Sequence, residues 1–312
     1  MGGGPISPLE SSFDNLLTPS LFSLLAHHRL PYPDKKAPIN FSDFGRDIFL
    51  EDPFSPLVKD KAWPALLALS KFGSPDQVPD LTTYLPHPTD TTYPVQVLGL
   101  QLLVDNLPRL LFRGIDARWI YAYFNHVSQR LARTWIALPA DQRPDSWPRW
   151  RDEEGVGLDY FIGVRFWLGT PFVHSELLGN QMIALKFTEE TRAVVEKETG
   201  TVDPHRKHRD AILNDIYGFP RLLQKGPPQG SDVTREGWTF WMCKLMDIHQ
   251  PIVDRFLRYP YLNGITGRAA RGDEKKWLEE VHHFAEADED TVRRVREDVK
   301  KGRWTPLGED SL

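Results

Sequence analysis

The sequence predicts an all-α fold, and three observations carry that reading. Apolar residues recur near a 3.6-residue period from about residue 61 onward, strand-like alternation is scarce, and helix-length segments follow one another as antiparallel-looking pairs between polar breaks. With 312 residues, 40% of them hydrophobic and 12% aromatic, the chain has ample material for a buried core, so it reads as globular.

Residues 1–60 are rich in Pro, Ser and Asp and read as an irregular N-terminal arm with one short amphipathic piece, "NLLTPSLFSLLAHHRL". A single helical domain is expected over 61–285. It opens on "KAWPALLALSKFG", where Gly73 reads as a C-cap. "YPVQVLGLQLLVDN" is apolar on nearly every face, which predicts a central helix ending or kinking at Leu107–Pro108. Asp105 then falls in the last turn, where a negative charge opposes the helix dipole and calls for a cation such as Arg109 or Arg113. Asp116 is the expected N-cap of the next helix, "ARWIYAYFNHVSQRLARTWIAL".

"LDYFIGVRFWLG" reads as another buried helix. Thr170 as cap, with Pro171 at the first helical position, opens the long segment "TPFVHSELLGNQMIALKFTEETRAVVEKETG". Residues 200–234 mix charge with Pro and Gly and read as a surface insertion with one short helix. "REGWTFWMCKLMDIHQPIVDRFLRYP" is a helix that Pro251 should kink, "DEKKWLEEVHHFAEA" a last amphipathic one, and 286–312 a polar C-terminal helix and tail. No exact internal repeat is visible.

A net charge of -5 with dispersed Lys and Arg gives no basic footprint, so nucleic acid is not an expected partner. The single Cys243 excludes an intrachain disulfide and a cysteine-based zinc cluster, which fits a reducing, cytoplasmic setting. "MGGGPISPLESSF" lacks the charged and apolar regions of a secretory signal, and no apolar run approaches the roughly 20 residues of a membrane span, so no membrane partner is expected. Gly2 invites a myristoylation reading, but Ile6 stands where that signal wants Ser or Thr.

Three segments together resemble the mainly bacterial helical family catalogued as domain of unknown function 924. The family pattern L-L-D-Q-F-P-R-N-x-F-R-G is similar to "LLVDNLPRLLFRG", with Asp105, Pro108, Arg109, Phe112, Arg113 and Gly114 matching. P-F-x-H-S-E-x-x-x-x-Q resembles "PFVHSELLGNQ", which supplies His174, Ser175, Glu176 and Gln181. H-x-x-I-I-x-R-F-G-R-F-P-H-R-N-x-x-x-G-R is similar to "HQPIVDRFLRYPYLNGITGR", giving His249, Arg255, Arg258, Pro260, Asn263, Gly267 and Arg268 without a gap. The resemblance implies stacked antiparallel helix pairs of tetratricopeptide-like form and brings no established activity. Asn106, Leu110, Gln250, Pro251, Tyr261 and Leu262 depart from the family pattern, as do the arm and the insertion.

Two functions follow from these residues. In the first, His174 acts as general acid or base with Glu176, since an imidazole near pKa 6.5 takes both protonation states at neutral pH. Asp105, Arg109, Arg113, Gln181, His249, Arg255, Arg258, Asn263 and Arg268 then line an internal pocket for a small anionic ligand, a carboxylate or phosphate. The imbalance of five arginines against Asp105, Glu176 and Asp254 is what favours an anion. On a regular helix, however, Glu176 points away from the face shared by His174 and Gln181. In the second, these groups form a buried ion-pair network, and the chain is a non-enzymatic scaffold that binds a peptide.

No metal or cofactor is expected. His205 and His208 beside Asp203, and His282 next to His283, lack metal-ligand spacing, and the glycines of "GITGRAARG" follow no strand. Oligomeric state is not encoded legibly.

Overall fold

The computed structural model of the chain describes residues 13–49 and 54–311. The Gly2 reading and the first twelve positions of the arm lie outside them. The described residues are helical, with no strand among them, and divide into two compact units. Within the described residues the first unit takes in 13–31, 54–154 and 304–311, and the second 32–49 and 155–303. No helix among the described residues is long and apolar enough to cross a membrane.

In the first unit the arm is not irregular. Pro19–Arg29 is a helix because Pro19 sits at its start, where a missing N–H is harmless, and the Thr18 hydroxyl accepts from Leu21 N–H at 3.2 Å. Pro56–Ser70 begins the same way, with Ser55 as cap. Buried Leu21, Phe22 and Leu25 pack the first helix against Tyr93–Gln101.

The helix expected to end at Pro108 instead widens. Leu102–Asn106 forms a π-type turn in which Leu107 N–H reaches back to Leu102 O, and an α-helical turn resumes over Leu107–Leu111. Pro108 thereby falls in the first turn of a new segment, the place a proline fits. Asp105 is thus inside a continuing helix, not in its last turn. Ile120–Phe124 is a second wide turn, ahead of Asn125–Ile136.

Asp116 makes no side-chain cap. Its fully buried carboxylate accepts from the backbone N–H groups of Gly308, Glu309 and Asp310 and from the Ser311 hydroxyl at 2.6–3.3 Å, so it anchors a distant segment.

In the second unit Leu158–Val173 is buried along almost its whole length. Pro171 lies inside this helix and does not open the next one. Pro171 has no N–H to offer Trp167 O four residues back, and the Thr170 hydroxyl donates to that carbonyl at 2.8 Å. The following helix starts only at Leu178 and runs to Thr199, closed by Gly200 in the left-handed conformation. Phe41–Phe49, also read as irregular arm, is a helix whose Phe41 and Phe44 lie against Trp238 of Arg235–Asp247. Pro251 opens a separate helix, Gln250–Phe256, where a kink was expected.

The 200–234 segment holds two short helices, Arg209–Leu213 and Gly218–Lys225, where one was expected. It also reaches the core: Asp203 is buried and pairs with Arg192 at 2.6 Å.

Candidate functional site

The motifs divide between the units, the first, with Asp105, Arg109 and Arg113, falling in the first unit and the other two in the second. In the first unit, buried Asp105 pairs with Arg109 Nη2 at 3.5 Å and accepts from the Ser128 hydroxyl at 3.1 Å. Arg109 Nη2 also donates to Asn125 Oδ1 at 2.6 Å. Gln101 donates to Ser128 Oγ at 2.9 Å and accepts from Trp135 Nε1 at 3.3 Å, extending the network inward. Arg113 does something else. Its guanidinium donates to the carbonyls of Arg109, Leu110 and Phe112 at 2.6–3.2 Å, closing the end of its own helix. Gly114 has φ +50, and a Cβ there would sit 2.0 Å from an Asp310 carboxylate oxygen that accepts from Ile115 N–H, so only glycine fits.

In the second unit His174 and Glu176 lie in the loop after Val173, not on a helix, so helical spacing does not separate them. Glu176 is clamped. Its oxygens accept from Arg268 Nη1 at 2.5 Å and Nη2 at 2.8 Å, and Oε1 also accepts from Tyr259 N–H at 2.8 Å. Buried Gln181 donates to Ser175 O at 2.6 Å and to the Tyr259 hydroxyl at 2.9 Å, and that hydroxyl donates in turn to Val173 O. The loop is thereby pinned to the third motif from both sides.

Arg258 and Asn263 converge on a residue the sequence reading missed, Glu274. This fully buried carboxylate accepts from Arg258 Nε at 2.5 Å and Nη2 at 2.6 Å, from Asn263 Nδ2 at 3.1 Å and from Arg271 N–H at 2.7 Å. Burial alone would raise its pKa, but the Arg258 and Arg271 hydrogen bonds outweigh burial and hold it at about 2. The missed signal was local. Glu274 stands three residues after Arg271 at a helix start and accepts from the Arg271 N–H, one half of a capping box, while its own N–H donates to Asp273 Oδ1. Gly267, with φ +75, closes the loop that aims Arg268, and a Cβ there would meet Val299 at 2.5 Å.

His249 is buried with Nδ1 2.8 Å from Leu245 O and its ring over Phe219. Burial, helped by the charge of nearby His174, pushes its pKa down to about 3, so it is neutral at physiological pH. His174 itself is half-buried at the end of Leu158–Val173. Arg255 is exposed, 3.7 Å from Asp273. A second buried network, Arg192 with Asp203 and Asp247, and Arg209 with Asp247 at 3.1 Å, also escaped the sequence reading. Cys243 lies beside it, fully buried, with its thiol pushed up to about 12 by burial, which makes a poor nucleophile. Among the described residues no group of three or more His, Cys, Asp or Glu is placed to hold a metal ion.

Residues 76–221 match the family described as bacterial protein of unknown function (DUF924), to which this stretch is similar. The first two motifs lie inside the match and the third lies beyond it. No curated protein and no solved structure matches the chain.

Proposed function

We propose that the chain is a non-catalytic, cytoplasmic helical binding module whose partner is a polypeptide, and that its motif arginines close internal ion pairs instead of holding a small anion. One observation carries this reading: Arg109, Arg258 and Arg268 each already bond a carboxylate of their own unit. The excess of arginines over acids, which favoured an anion pocket, narrows to five against four once Glu274 is counted, and closes when Asp273, 3.7 Å from Arg255, is added. Glu176, doubly held by Arg268, is poorly placed to exchange protons with a substrate. Leu177, Leu178, Met182 and Leu257, 39–63% exposed, flank the Glu176–Tyr259 contact and offer apolar area to a helical segment of the partner.

The reading is tested by screening carboxylates and phosphate esters by thermal shift against the wild type, Arg258→Gln with Glu274→Gln, and Arg268→Gln with Glu176→Gln. Any stabilisation by an anion should survive in both double variants. An anion that stabilises the wild type and loses that effect in both would overturn the reading and restore the motif pocket.

A further inference from the structure

The segment 200–234 builds a cleft of about 230 Å³ with the helix Arg235–Asp247. Ile212, Leu222 and Ile248 give it an apolar floor, and Arg221, Lys225 and Lys244 bring three cations to it against one acid, Asp215. Asp215 is committed to Arg221. No carboxylate of the described residues pairs with Lys225 or Lys244, so two positive charges in the cleft stand uncancelled. This is the inverse of Arg109, Arg258 and Arg268, each of which is matched by a carboxylate. The field there is felt by His205, whose pKa is lowered by burial and then by Lys244.

We infer that this cleft is a binding site for a small organic dianion, a phosphate monoester with a short apolar body. A phosphate monoester carries about -1.5 to -2 at neutral pH, which matches the two unpaired lysines. The volume lies below the roughly 300–1,000 Å³ of pockets that enclose drug-sized ligands, so the part of the ligand seated in the cleft is small. Gly218 lines the cleft at the start of Gly218–Lys225, where a Cβ would sit 3.3 Å from the Asp215 carboxylate and 3.4 Å from Ile248 and so fill part of it. The inference does not rest on the scaffold reading, since none of these residues belongs to the three motifs.

Calorimetric titration with phenyl phosphate, and with inorganic phosphate for comparison, tests it on the full chain. Phenyl phosphate should bind saturably and more tightly than inorganic phosphate, and higher salt should weaken both. Lys225→Gln with Lys244→Gln should weaken phenyl phosphate by about tenfold or more, while Lys300→Gln, which does not line the cleft, should leave it unchanged. Ile212→Glu keeps both lysines yet should abolish binding by placing a carboxylate in the floor. Absence of saturable binding, equal affinity for the two phosphates, or binding that survives the lysine or Ile212 changes would overturn the assignment.

Discussion

Glu274 and Arg258 meet through two parallel hydrogen bonds, 2.5 and 2.6 Å long, between a fully buried carboxylate and a guanidinium only 19% exposed. Removing Arg258 leaves that carboxylate with Asn263 and Arg271 alone. Arg258→Ala should therefore lower the unfolding free energy of its unit by about 1.5–3 kcal/mol, the worth of hydrogen bonds to a charged group. Urea denaturation of the wild type and the variant measures it.

The same carboxylate predicts an acid response. Its pKa is about 2 folded against 4.5 ordinarily, so the stability it contributes is fully present above pH 4.5 and is lost as pH falls toward 2. Glu274→Gln should be less stable at neutral pH and should show a shallower decline across that window. An unchanged slope would mean the carboxylate is not ionised in the folded protein.

His249 adds a second slope at higher pH. Its folded pKa of about 3 lies below the ordinary 6.5, so the unfolded chain binds the extra proton and stability falls as pH drops from 6.5 toward 3. His249→Gln should flatten the melting-temperature profile between those values while leaving the steeper fall below pH 4.5 in place.

Leu257 closes Gln250–Phe256 with φ +57 and is 63% exposed. The family pattern carries glycine here. A left-handed leucine costs about 1–2 kcal/mol, so Leu257→Gly should stabilise the protein by about 1 kcal/mol, and Leu257→Ala should not. If the exposed leucine serves a partner, the glycine variant should bind that partner more weakly while melting higher.

The helical class was legible because periodicity and breaks at Gly73, Gly200 and Pro251 are local signals. Where proline misled, the local reading allowed more than one outcome, Thr170 serving as a helix cap or as a substitute donor beside Pro171. Pro171 sits inside its helix with the Thr170 hydroxyl satisfying Trp167 O, and Pro108 follows the wide turn Leu102–Asn106. The pairing of Asp105 with Arg109 was readable at four-residue spacing. Glu274 was legible only as a helix-start residue three positions after Arg271; its pairing with Arg258, 16 residues away, left no local signal. The Asp203–Arg192–Asp247 network hid for the same reason, its members being spread over three segments.

The central claim is that the motif residues are internal clamps, and Glu176 with Arg268 tests it most directly, since Glu176 is the residue a catalytic reading needs free. A double-mutant cycle on unfolding free energy, using Glu176→Gln, Arg268→Gln and both together, measures their coupling. We predict a favourable coupling of about 1–3 kcal/mol. A coupling within about 0.3 kcal/mol of zero, with both single variants as stable as the wild type, would contradict the account and return Glu176 to the role of a functional acid.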